Sequence, residues 1–161
     1  MPPQRAGRME RRDRPAIISP TRKIRIMPFY HDTKQLYAVL QALFARIGQN
    51  SPHAADGILK ARLVIRLRTS EPEGVIVLDG RQPPLKSTFG PSALHPELDI
   101  QISADTLHHI LLGELQLGKA LSGGLLKVKG PIFKTLPLSE LFHQGQRYYP
   151  DVLRELGLTK S

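Results

Sequence analysis

The stretch Asp99–Ile132, DIQISADTLHHILLGELQLGKALSGGLLKVKGPI, decides the fold. It opens on an alternation in which Leu98, Ile100 and Ile102 oppose Asp99, Gln101 and Ser103, the period of a half-buried strand. Ser103 or Asp105 can then cap a helix that carries Leu107, Ile110, Leu111 and Leu115 on one stripe. After Gly118, Ala120 and Leu121 predict a small helical turn, which Gly123-Gly124 ends. Leu126 and Val128 alternate with Lys127 and Lys129 in a closing strand that stops at Gly130-Pro131. Between Leu107 and Leu126 there are eight leucines and one isoleucine, with Glu114 and Lys119 as the charged residues. So apolar a segment has to line an interior, either a filled core or the wall of a ligand cavity.

Upstream of this stretch, Asp32 or Thr33 can cap a helix in which Leu36, Val39, Leu40, Leu43 and Ile47 recur at helical spacing before Gly48. Residues 49–60 read as a loop, with Ser51-Pro52 and Asp56-Gly57 as turn signals. Four strands are predicted next: 62–69, 75–78, 85–89 and 98–103. In the first, Leu63, Ile65 and Leu67 alternate with Val64, Arg66 and Arg68. The close spacing of the strands favours an antiparallel meander. Downstream, residues 132–142 form another amphipathic piece that Pro137 interrupts. A last short helix is predicted from Pro150 at its first position to Gly157 beyond its end, burying Val152, Leu153 and Leu156. The class is α+β, a mostly antiparallel five-stranded sheet covered on one face by helices.

The 161 residues carry a net charge of +9 and no cysteine. Residues 1–23 hold seven basic side chains against Glu10 and Asp13, a net +5, which leaves +4 for the other 138 residues. The division into a disordered basic leader (1–23) and a single domain (24–161) follows, because the leader has little to bury against its ordering entropy. Arg5, Arg8, Arg11, Arg12 and Arg14 are candidates for transient contact with an anionic membrane surface. Nucleic-acid binding is the weaker reading of the same charge. The basic strand positions Arg66, Arg68, Lys127 and Lys129 lack interleaved aromatics for base stacking and read as a solvated sheet face guarded against edge pairing. No run approaches the roughly 18 apolar residues of a membrane span, and no secretory signal is apparent, so a cytoplasmic protein is expected.

Catalytic chemistry finds no support. The sequence holds no G-x-S-x-G elbow, no P-loop and no dinucleotide fingerprint. His108 and His109 are adjacent on a helix and point about 100° apart, so they suit a packed or surface role better than one shared metal. No catalytic residue, cofactor or metal ligand is assigned.

The spacing within the opening stretch resembles that of the sterol carrier protein type-two family of non-specific lipid-transfer domains. An alternating strand with Ile100 and Ile102 runs into an Asp-started leucine helix ending at Gly113. Ala120 follows seven residues later, Gly124 four after that, and Gly130 six further on, at the end of L-L-K-V-K-G. The family carries small residues at those points. The likeness covers residues 98–132 in motif and 32–142 in outline. Leu125, where members often carry lysine, the doubled Gly123-Gly124, the basic leader and the tail with Tyr148 and Tyr149 depart from it.

The resemblance implies a sheet and helices enclosing an apolar tunnel for a fatty acyl chain, sterol or other lipid. Leu107, Ile110, Leu111, Leu115 and Leu121 are then the candidate walls, and Phe133, Leu136, Leu141 and Phe142 the candidate lid. The expected function is non-catalytic lipid binding or transfer, with the C-terminal segment gating access. The rival reading is an accessory or interaction subunit of a lipid or secondary-metabolite enzyme, with the cavity filled.

Overall fold

The computed structural model of the chain describes residues 28–158. The basic leader, and with it the proposed membrane contact through Arg5 to Arg14, lies outside the described residues. Helix α1 (Thr33–Asn50) and the short α2 (Asp56–Lys60) precede strands β1 (Val64–Ser70), β2 (Gly74–Asp79), β3 (Lys86–Phe89) and β4 (Leu98–Ser103). Then come α3 (Ala104–Leu111), α4 (Leu117–Ser122), β5 (Leu126–Lys129), a 3-10 turn (Ile132–Thr135) and α5 (Leu138–Glu155).

The Asp32 carboxylate accepts the Gln35 amide at 2.8 Å and starts α1, while the Gln35 side chain accepts the His31 amide. The predicted stripe of Leu36, Val39, Leu40, Leu43 and Ile47 is the buried face of that helix. The expected 49–60 loop is only partly a loop. Ile58 is fully buried, and anchoring it closes residues 56–60 into one helical turn.

The sheet has the order β3-β2-β1-β4-β5. Three of its four pairings are antiparallel, but β4 lies parallel to β1, so the simple meander fails at this step. The eight residues between β3 and β4 can extend roughly 27 Å. They have to cross three inter-strand spacings, about 14 Å. Glu97 fastens the end of this connection. Its amide donates to the Val64 carbonyl at 2.8 Å, and its carboxylate accepts the Val64 amide at 2.9 Å. Gly130 belongs to the same junction: a Cβ there would sit 2.3 Å from the Glu97 carbonyl oxygen, and its φ is +121°.

Register sorts the two sheet faces. On the helix side, Val128, Ile100, Leu67, Ile76 and Phe89 form one apolar row across all five strands. On the opposite face the neighbouring row reads Lys129, Asp99, Arg66, Val77, Thr88. β1 is central, so Arg66 and Arg68 are not edge guards. Both bind the Asp99 carboxylate, at 2.5 and 3.1 Å. Hydrogen bonding from Arg66, ahead of every other influence, holds Asp99 below the usual carboxylate range.

The C-terminal region departs most from expectation. Residues 138–155 form one helix, with Pro150 inside it and not at the start of a separate one. Proline removes one helical hydrogen bond and crowds the carbonyl four residues earlier. The penalty is offset by a continuous buried stripe: Leu138, Leu141, Gly145, Tyr149, Val152 and Leu153. Gly145 lets α5 close onto the other helices, since a Cβ there would already lie 3.2 Å from Leu111 and 3.8 Å from Leu43. Leu156, expected inside, is exposed.

Candidate functional site

The helix layer has a hydrogen-bonded end and an apolar end. At the first, Ser103 caps α3 by accepting the Thr106 amide at 3.0 Å. That leaves Asp105 free to accept the Phe29 amide at 2.9 Å and to tie the entering chain to α3. His108 Nδ1 is 2.6 Å from the Tyr149 hydroxyl, which is in turn hydrogen-bonded to the Tyr30 hydroxyl. Phe29 stacks on His108, with centroids 3.7 Å apart.

Burial pushes both tyrosine hydroxyls far above their ordinary range, so both stay protonated. Burial, with His109 nearby as the second influence, pushes the His108 ring below its ordinary value, so it stays neutral. One proton arrangement leaves no hydroxyl hydrogen without an acceptor: Tyr30 donates to Tyr149, and Tyr149 donates to His108 Nδ1. His109 faces away and meets Glu114 at 2.7 Å. Among the described residues no three potential ligands gather as a metal site.

At the other end lie two adjoining apolar spaces. The inner one, about 50 Å³, sits between the sheet, α1, α3 and α5. Leu107, Leu111, Leu141 and Phe142 line it, as do Leu43 of α1 and Ile100 of β4. The outer one is a groove of about 370 Å³ between α4, β5 and the 3-10 turn, and Leu121, Phe133, Leu136 and Phe142 line it. Ile100, Leu138 and Phe142 are common to both and stand between them. Of the nine residues singled out in the sequence, seven therefore reach these spaces. Ile110 is packed wholly into the core, and Leu115 is partly buried against it; neither lines either space.

The proposed lid divides into two kinds of residue. Leu141 is a buried wall, whereas Phe133 and Leu136, 69% and 71% exposed, stand at the groove rim and do not cover it. The sheet and α1 walls, Leu40, Leu43, Phe44, Ile65, Leu67 and Leu78, carry no site signal in the sequence. Their periodicity marks them as buried, and burial looks the same whether a side chain meets its neighbours or a ligand. A wider hollow of about 750 Å³ between α1 and β3 mixes apolar with polar groups such as Gln41, Ser51 and Asp56.

No protein-family model matches the chain, and no curated protein matches it. Solved structures do. The sterol carrier protein domain 2 of Helicoverpa armigera is similar over 70% of this chain and 88% of its own, at 17% identity and a TM-score of 0.57. Sterol carrier protein 2 from Yarrowia lipolytica, in its apo form, is similar over 71% and 91%, at 17% identity and a TM-score of 0.51. Palmitated SCP2L2 from Aedes aegypti is similar over 65% and 91%, at 23% identity and a TM-score of 0.51. The fold is that of the sterol carrier protein 2 domains.

Proposed function

We propose that this chain is a non-catalytic binding protein that takes the hydrocarbon part of a lipid into the groove between α4, β5 and the 3-10 turn and onward toward the inner space. One observation carries the reading: an apolar groove rimmed by exposed side chains adjoins, across Ile100, Leu138 and Phe142, a second space with an all-apolar wall. At about 370 Å³ the groove alone falls within the roughly 300–1,000 Å³ of small-molecule sites. Its polar side chains are two hydroxyls, Thr135 and Ser139. Such a wall recognises hydrocarbon by burial, worth about 0.8 kcal/mol per CH₂ before ordering costs, and discriminates poorly between chains. The palmitated state of a structural neighbour supports the choice of an acyl chain as first candidate.

Native mass spectrometry of gently purified protein tests the proposal, together with titration of a fluorescent fatty acid. The expected result is a bound lipid that the probe displaces. Protein that is reproducibly lipid-free and takes up no probe overturns the reading.

The small inner volume, about 50 Å³, favours a second reading. In it the interior is a filled core and the chain serves as an accessory subunit of a lipid or secondary-metabolite enzyme. A stable enzyme partner on pull-down, combined with absent probe uptake, selects that alternative.

A further inference from the structure

The segment that surrounds the groove has an unusual surface. Residues 115–139 contain four lysines and no acidic residue. They also carry the four most exposed large apolar side chains among the described residues: Leu125 at 52%, Ile132 at 56%, Phe133 at 69% and Leu136 at 71%. Isolated exposed apolar residues need no explanation, but a cluster around one opening does. Ile132, Phe133 and Leu136 all line the groove, and Leu125 immediately precedes β5. β5 is an edge strand. It turns Leu126 and Val128 toward the groove and exposes Lys127 and Lys129 on its other face, so the two chemistries meet along one edge. Lys119 is exposed on α4, and Lys134 lies half-buried in the 3-10 turn between Phe133 and Leu136. The acidic residues that bracket the segment are engaged elsewhere: Glu114 with His109 and Glu140 with Gln144.

We propose that this rim is a docking face for an anionic lipid bilayer, with Leu125, Ile132, Phe133 and Leu136 entering the interfacial region and Lys119, Lys127, Lys129 and Lys134 reaching the headgroup charges. Lysines suit this because the aliphatic stem stays in the apolar zone while the ammonium group reaches the charged layer. Each basic residue near such a surface contributes about a fivefold gain in partition, roughly 1 kcal/mol. Charge complementarity selects the bilayer over a neutral apolar partner. The proposal rests on the lipid-binding reading, and gives it a route: a chain leaving the bilayer at the rim enters the groove without crossing water.

The chain has no tryptophan, so Leu125→Trp gives a unique reporter at a position that does not line the groove. It is placed in the full-length chain with Arg5, Arg8, Arg11, Arg12 and Arg14 replaced by glutamine, so that the leader supplies no competing attraction. Vesicles of equimolar phosphatidylcholine and phosphatidylglycerol should shift its emission to the blue, and brominated acyl chains should quench it. Pure phosphatidylcholine should do neither. Lys→Gln at 119, 127, 129 and 134 should lower partition onto the anionic vesicles about a hundredfold or more.

Unchanged emission while the protein co-sediments with vesicles overturns the proposal, because attachment then occurs elsewhere. A blue shift that grows with protein concentration in the absence of vesicles also overturns it, since the patch would then join two copies of the chain. A loss under twofold in the lysine variant removes the electrostatic argument. Probe uptake measured without vesicles reports on the groove alone. If uptake fails while tryptophan insertion succeeds, the lipid-binding reading falls and the rim remains a membrane-attachment face with no route into the groove.

Discussion

The two ends of the helix layer are built on opposite principles. At the Tyr30–His108–Tyr149 end, polar groups are buried and joined into one chain of hydrogen bonds, and three separate segments meet there. At the α4–β5 end, apolar groups are exposed, and the packing leaves an open groove. A buried polar network is stiff because every broken bond leaves an unpaired group in a medium that solvates it poorly. An exposed apolar rim contributes little to stability and remains available to something outside the chain. The difference assigns rigidity to one end and, under the proposed function, exchange to the other, while α5 runs through both. Tyr149, Val152 and Leu153 anchor α5, and Leu138, Leu141 and Phe142 give it a role in the groove and the inner space.

That contrast can be broken most severely at Tyr149. Tyr149→Ala removes a fully buried ring and leaves the Tyr30 hydroxyl and His108 without their partner, so a loss of about 5 kcal/mol is expected in urea denaturation. A loss below about 2 kcal/mol would show that the network is not what anchors α5. Gly145→Leu strikes the middle of the helix, where Leu111 and Leu43 are already close. Overpacking should destabilise by about 2 kcal/mol. Uptake of the fluorescent fatty acid should fall as well, and normal uptake would confine the ligand to the outer groove.

Acid acts more gradually. The folded state depresses His108 below its ordinary 6.5, so its contribution is present above that pH and is lost as pH falls through the lower folded value. Protonation also puts a hydrogen on Nδ1, which reverses the tyrosine chain and strands the Tyr30 proton. His108→Asn, whose side-chain oxygen can stand in for Nδ1 as acceptor, should flatten the stability profile between pH 7 and the folded value. Asp99 is likewise depressed, chiefly by Arg66, so its contribution persists above its ordinary 3.8 and disappears on further acidification. That second loss should remain in His108→Asn and vanish in Asp99→Asn. The smallest stability effect is expected at the open end: Phe133→Ser with Leu136→Ser should change stability by less than about 0.5 kcal/mol while weakening fatty-acid uptake. A large destabilisation there would mean that the rim is structural.

What the sequence discloses follows the range over which each determinant acts. The α1 stripe, the Asp32 and Ser103 caps and the alternation in β4 and β5 are local, and the structure contains them. The β1–β4 pairing joins residues 33 apart in the chain, and strand periodicity does not say which neighbour a strand will take. Continuity of α5 through Pro150 depends on contacts with α1 and α3, which outweigh the local preference for a break there. His108 reads as a packed or surface residue from its spacing. Its bond to Tyr149, 41 positions away, has no local signature. For the candidate site, apolar spacing locates α3, α4 and the C-terminal residues around the two spaces. It does not separate Ile110, a core residue, from Leu111 one position on, which faces the inner space.

The hydrogen bond between Tyr30 and Tyr149 spans 119 positions, nearly the whole described chain. It fastens the start of the described chain onto the last helix and so closes most of that chain into a loop without covalent chemistry. A closed loop has no privileged starting point. A peptide linking the two ends, with a cut in the 90–97 connection ahead of Glu97, should preserve every strand and helix and keep the groove intact.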